Sequence, residues 1–242
     1  MERLCDLLFE LSSTERMRIL QKISNGRLKL SHIAQELEIT VTETSRHLQR
    51  LQEAGLLGRD GDGHYYLTNY GEASLQLLGG LGVLSGNRGY VLNHDLSVLP
   101  KEFLQRIGAL EEARFVVDTL TGLRLTEMMY QEAEEYIWVM SEQILVSALP
   151  IIQKRVDTGV EFRFIAPENI VPPPGFEPTR GTLEMILPEV SIRLAVTDKE
   201  ALICLPYIHG ALDYSPIIGT NEGFRQWCKD LFLYYWNSGS TS

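Results

Sequence analysis

Residues 40–57 read TVTETSRHLQRLQEAGLL, and the fold turns on which side of this segment is covered. Steps of three and four return to one face of a helix. They group Thr44, Leu48 and Leu51, with His47 at the edge. Opposite them lie Thr42, Arg46, Gln49 and Arg50, with Ser45 on the flank. Thr40 predicts an N-cap, and Glu43 stands where its carboxylate can reach back, so the start of the helix is a capping box. Gly55 predicts its end. Taken alone, a polar face of this kind is either ordinary solvated surface or a surface made for insertion, and the neighbouring sequence decides between the two.

Upstream, Leu4, Leu7, Leu8 and Leu11 recur at helical spacing. Ser12 followed by Glu15 predicts a second capping box, opening a helix that carries Met17, Ile19, Leu20 and Ile23. Asn25 to Arg27 stop it, and Ser31 opens a third helix with Ile33, Ala34 and Leu37 inward. Downstream, LLGRDGDGHYYLT at 56–68 holds two β-prone runs around Asp60–Gly63, the chemistry of a hairpin. Helices, a turn, a helix and a hairpin form the order of a winged helix. In that setting Arg46 and Arg50 suit phosphates or guanine edges, Gln49 suits adenine, and Thr42 and Ser45 near the helix start suit phosphate. The positive end of the helix dipole favours the same anion. Thr44 is kept as a further candidate contact, and Arg59 and His64 of the hairpin are placed to flank the minor groove.

LSHIAQELEITVTETSRHLQRLQEAGLLGRDGDGHYYLTNYG, residues 30–71, resembles the winged-helix domain of the ArsR type, whose third helix commonly reads Ser-Arg-His-Leu and then Ala-Gly-Leu. The resemblance covers about the first seventy residues and implies binding to a double-stranded DNA operator. Metal-responsive members use cysteine pairs in or near this helix. No cysteine lies between Cys5 and Cys204 here, which excludes metal sensing at that site.

Composition bounds the rest. The chain has 242 residues, a formal net charge of -10 and 44% hydrophobic content, as one or two globular domains require. Nine Lys plus Arg against ten Asp plus Glu leave residues 1–70 near neutral, so the acidity belongs to the remainder. No apolar run is long enough to cross a bilayer, and the charges within MERLCDLLFELSS are unlike a signal peptide, so a cytoplasmic location without membrane contact is expected. Cys5, Cys204 and Cys228 are odd in number and far apart, which rules out a disulfide framework and leaves buried or semi-buried free thiols or a single redox-sensing thiol. No motif implies a cofactor or a metal.

Residues 71–88 read as a connecting helix that Gly79, Gly80, Gly82 and Gly86 loosen into a hinge. Over 89–242 the periodicity changes. ARFVVDTL, YIWVMSEQ, VEFRFIAPE, VSIRLAVTD and EALICLPY predict strands, the last two meeting as a hairpin near Asp198 and Lys199. Helices are expected at Leu123–Glu135, Glu142–Thr158 and Asn221–Trp236, the last packed on the sheet. Pro172, Pro173 and Pro174 make residues 169–181 a loop or lid. The fold class is therefore two-domain: an α+β winged helix (1–70), a connector (71–88), and an α/β domain with a mixed sheet (89–242).

Residues 92–110, 158–168 and 223–236 (LNHDLSVLPKEFLQRIGAL, TGVEFRFIAPE and GFRQWCKDLFLYYW) resemble the sensor part of archaeal winged-helix regulators known as methanogenesis regulatory proteins. That resemblance implies control of methyl-transfer genes and an α/β domain shaped like the phospholipase D type, also seen in archaeal sugar-responsive regulators. Phospholipase D chemistry needs a histidine nucleophile with a lysine two residues on. His94 and His209 stand in HDL and HGA instead, so no enzyme is expected.

In open α/β sheets the crevice lies at the carboxyl ends of strands, which nominates Asp118, Thr119, Ser141, Glu142, Glu168 and the proline loop for a small-molecule effector. Arg163 and Arg193 alternate with apolar residues inside strands, as surface or salt-bridged side chains or as ligand contacts. The sequence thus reads as a homodimeric transcription regulator. The alternative is a winged-helix module that binds protein rather than DNA.

Overall fold

Leucine and isoleucine spacing builds four helices before any strand of length. In the computed structural model, which describes residues 2–174, 176–238 and 240–241, these are α1 (Glu2–Leu11), α2 (Thr14–Ser24), α3 (Leu30–Leu37) and α4 (Val41–Glu53). A short strand β1 (Leu28–Lys29) separates α2 from α3, and β2 (Leu57–Arg59) with β3 (His64–Leu67) forms the wing. The three strands pair antiparallel in the order β1-β3-β2. This is a winged helix-turn-helix, as the sequence predicts.

Helix α4 is fixed at both ends. The Thr40 side chain accepts from the Glu43 backbone N–H at 3.2 Å, and the Glu43 carboxylate accepts from the Thr40 N–H at 3.4 Å. At the other end Gly55 has φ +75°, its N–H donates to the Gln52 carbonyl, and the Leu56 N–H donates to the Leu51 carbonyl at 2.9 Å. That pair of bonds is a Schellman close, which glycine adopts without a steric penalty. Between the caps, Leu48 and Leu51 are fully buried among Ile19, Leu20, Ile33 and Leu56.

Two starts differ from the sequence reading. The N-cap of α2 is Ser13, accepting from the Arg16 N–H, while the Ser12 hydroxyl turns back to the Phe9 carbonyl at 2.8 Å. Helix α3 begins at Leu30, before Ser31, because β1 pairs with β3 in the register Leu28↔Tyr65 and Lys29↔His64 and so holds the preceding residues extended.

The chain divides into two compact units, residues 1–78 and 79–242, and the division falls within α5 (Asn69–Gly86). The glycines do not interrupt this helix. A Cβ on Gly80 would lie 3.3 Å from Ile107, and one on Gly108 would lie 3.0 Å from the Gly80 nitrogen. Close backbone approach, rather than loosening, is what Gly80 serves.

The second unit continues with α6 (Arg88–Asn93), α7 (Lys101–Gln105), β4 (Arg114–Phe115), α8 (Thr119–Glu132), β5 (Tyr136–Met140), α9 (Leu149–Val156) and β6 (Glu161–Pro167). It closes with β7 (Leu183–Leu187), β8 (Arg193–Thr197), β9 (Ala201–Cys204), β10 (Ile217–Gly219), α10 (Glu222–Trp236) and β11 (Ser240–Thr241). The eight strands form one mixed sheet in the order β11-β7-β6-β5-β8-β9-β10-β4, with β5, β6 and β7 parallel and the other pairings antiparallel. Helix α10 covers one face through Phe224, Trp227, Leu231 and Phe232. On the other face Met129 and Tyr130 of α8 and Ile152 of α9 pack against Ile137, Val139 and Phe162. Helix α9 is shorter than expected because Pro150 sits in its first turn, where a fixed φ and a missing N–H suit a helix start and oppose any helix upstream.

The caps of α4 give a direct expectation. Thr40→Ala removes the side-chain acceptor of the capping box and lowers the stability of residues 1–78 by about 1 kcal/mol. Amide hydrogen exchange of α4 measures this loss.

Candidate nucleic-acid interface and sensor cavity

The buried side of α4 sets what its other side shows. Thr42, Ser45, Arg46 and Gln49 are exposed along one stripe. Arg46 enters none of the ion pairs or side-chain hydrogen bonds among the described residues, whereas the Gln49 amide donates to the Glu53 carboxylate at 2.9 Å. Two nominated residues stand elsewhere. Thr44 has no exposed surface, and its hydroxyl donates to the Thr40 carbonyl at 2.9 Å, so the leucine side of the wheel claims it. Arg50 is drawn sideways to α1, where Glu10 accepts from its Nη2 at 2.6 Å and its Nε at 3.2 Å, and its guanidinium lies over the Phe9 ring. The same Glu10 lies 3.2 Å from Nε of the buried Arg16, so one carboxylate ties α1 to α2 and to α4.

The amino end of α4 is less open to an anion than the dipole alone implies. The Glu43 carboxylate already occupies the Thr40 amide and hydroxyl, and those bonds hold it below the ordinary carboxylate range. In the wing, Arg59 is exposed and lies over the Tyr65 ring, and His64 is half-buried with Nδ1 3.5 Å from Asp60. Asp60 closes the turn by accepting from the backbone N–H groups of His64 and Asp62, the first of which chiefly lowers its pKa. Arg27, which no local pattern singles out, reaches the same turn. It pairs with Asp60 at 3.3 Å and lies over the Tyr66 ring. Its neighbour Lys29 pairs with His64, so the β1–β3 ladder brings Arg27, Lys29 and Arg59 beside one hairpin.

In the α/β unit the nominated ligand residues separate. A cavity of about 50 Å³ lies on the α8–α9 face of the sheet, walled by Val139, Ile152, Phe162 and Phe164 and by Phe176 and Thr179 of the segment after the prolines. Ser141 and Arg193 line it. Asp118 does not, because its carboxylate caps α8 by accepting from the Thr121 N–H at 2.7 Å, and Thr119 is the first residue of that helix. Glu142 accepts from the Tyr214 hydroxyl at 3.0 Å. Arg163 alternates with Phe162 and Phe164 and so faces the opposite side of β6. There it pairs with Glu161 at 2.9 Å and lies over Trp138 and Trp236. Glu168 follows β6 and does not line the cavity.

Cys204 and Cys228 are buried, which pushes the Cys204 thiol up to about 11 and Cys228 above its ordinary value; Cys5 is exposed. Among the described residues no three His, Cys, Asp or Glu side chains form a metal-holding group, and no helix is long and apolar enough to cross a membrane.

Residues 13–58 match the family model described as bacterial regulatory protein, arsR family, a span that runs from the cap of α2 into β2. The first unit is an ArsR-type winged helix-turn-helix. No curated protein matches the chain. Among solved structures, TrmBL2, described as an archaeal chromatin protein with a novel mode of DNA binding, is similar with a TM-score of 0.45 and 15% identity, over 95% of this chain and 94% of that one.

His47, at the edge of the ArsR-type helix, is half-buried, and its Nδ1 has no hydrogen-bond partner among the described residues. Burial first, and the Arg16 and Arg46 cations second, lower its pKa below the ordinary 6.5. The unfolded chain therefore binds the proton more readily than the folded one, and stability falls as pH drops through 6.5 toward the folded value. His47→Gln removes that part of the acid slope, which thermal unfolding followed from about pH 7.5 down to about pH 5 measures against the native chain.

Proposed function

We propose that the protein is a transcription regulator whose α4 enters the major groove of an operator. The observation that carries this reading is the stripe of Thr42, Ser45, Arg46 and Gln49, exposed on a doubly capped helix whose opposite face is wholly buried. The arrangement supplies a free guanidinium for a guanine edge, an amide for adenine and two hydroxyls for phosphate. Arg50 joins the interface only by leaving Glu10, so it serves first to seat α1 on α4.

Arg27, Lys29, Arg59 and His64 supply backbone contacts at the wing, with Asp60 and Asp62 keeping the tip itself clear of phosphate. Two copies related by a two-fold axis fit an inverted-repeat operator. The α/β unit acts as a non-catalytic sensor of a small molecule. The likeness of residues 92–110, 158–168 and 223–236 to methanogenesis regulatory proteins supports a setting among archaeal methyl-transfer genes.

Selection of duplexes from a random library by the full chain, followed by fluorescence anisotropy on the enriched sequence, tests the reading. Arg46→Ala weakens specific binding by about 1–3 kcal/mol and relaxes one base position, with little change in the salt slope. A failure to enrich any sequence, or an Arg46→Ala chain that binds as tightly as the native one, would refute it.

A further inference from the structure

The two strand arginines have opposite surroundings. Arg163 has its counter-ion in Glu161. Arg193 is 3% exposed and has no carboxylate within ion-pair distance among the described residues. Its Nη2 donates to the Thr126 hydroxyl at 3.2 Å, the neutral Tyr130 hydroxyl and Cys204 thiol lie beside the guanidinium, and its buried Nη1 has no hydrogen-bond partner among the described residues. The acids that share a neighbour with it, Glu142 through Tyr214 and Asp213 through Cys204, are engaged elsewhere: Glu142 with the Tyr214 hydroxyl, and Asp213 with His94 at 2.9 Å and with the Ser215 N–H. A guanidinium stays protonated, and burying it uncompensated is costly, so an anion brought to Arg193 is held far more strongly than one met in water.

We infer that the cavity beside Arg193 is an effector site for a small monocarboxylate with a short apolar tail. Arg193 is the only basic residue among the described lining residues, which matches one negative charge rather than the two of a phosphate. Glu184, at the other side of the cavity on β7, lies three strands from β8, about 14 Å at the usual strand spacing, so it leaves the Arg193 end positive while opposing a second negative charge. The Ser141 hydroxyl offers a second donor, and Phe162, Phe164 and Ile152 supply apolar walls for the tail. A cavity of about 50 Å³ holds about three to five waters by the same measure, which limits the ligand to a few heavy atoms unless the 176–182 segment yields. This deepens the sensor reading but does not depend on DNA binding.

Calorimetry on the full chain without DNA tests it, with propionate and butyrate as probes, propionamide and butyramide as neutral matches, and inorganic phosphate as the tetrahedral anion. Each acid binds about tenfold or more tightly than its amide, and phosphate shows no binding. Arg193→Met erases the preference of acid over amide while leaving thermal stability without ligand unchanged or raised, because the lone buried charge is gone. Arg163→Met keeps the preference. Ile152→Phe, which fills the cavity without touching the charge, weakens both acid and amide. Equal binding of acid and amide, tighter binding of phosphate, or full acid preference in Arg193→Met overturns the inference. If Arg193→Met does not fold, the native acid-to-amide ratio and Ile152→Phe decide alone. Acid binding that leaves operator affinity unaltered sinks only the regulatory link, and operator binding without acid preference sinks only this site.

Discussion

How α4 is rotated about its own axis decides which of its side chains the first unit presents. Thr44, Leu48 and Leu51 are driven inward by the cost of leaving two leucines in water, about 1.5–3 kcal/mol for each side chain. The Thr40–Glu43 box and the Gly55 close then fix where the helix begins and ends. With rotation and ends set, the residues that face outward are no longer free to vary. Thr42, Ser45, Arg46 and Gln49 are presented because the other side is taken. Glu10 adds a second restraint from outside the helix by holding Arg50 and Arg16 together.

A parallel logic governs the sheet. Alternation along β6 and β8 sends Arg163 and Arg193 to opposite faces, and the two faces treat a cation differently. One provides a carboxylate and two indole rings. The other provides a hydroxyl, a phenol ring about 6.0 Å away and an apolar cavity. The absence of a counter-ion for Arg193 among the described residues is the observation on which the inferred effector site rests.

Much of this was legible in the sequence, for identifiable reasons. The α4 caps, its apolar face and the wing turn are local patterns, and each formed where its residues stand. Strands β5, β6, β8 and β9 announced themselves through β-branched and aromatic runs, and the β8–β9 turn fell at Asp198 and Lys199 as their alternation implied. What stayed hidden was set by distant partners. The grip of Glu10 on Arg50 spans forty residues, and Arg27 reaches Asp60 only through the β1–β3 ladder. Strand β7, with Glu184 exposed within it and Pro188 just after it, lacks a periodicity of its own and forms because β6 offers a parallel edge. Thr44 is the lesson in miniature: its place on the wheel was correct, and its hydroxyl suggested a role that burial denies it.

If the exposed stripe of α4 is the surface that meets DNA, binding must cover it. Alkylation of single cysteines placed at Ser45 and Gln49, in a Cys5→Ser background, measures that cover. An enriched duplex is expected to shield both thiols, while one placed at the exposed Val171 reacts as before. Unchanged alkylation of Ser45→Cys and Gln49→Cys in a fully formed complex would mean that DNA meets some other surface.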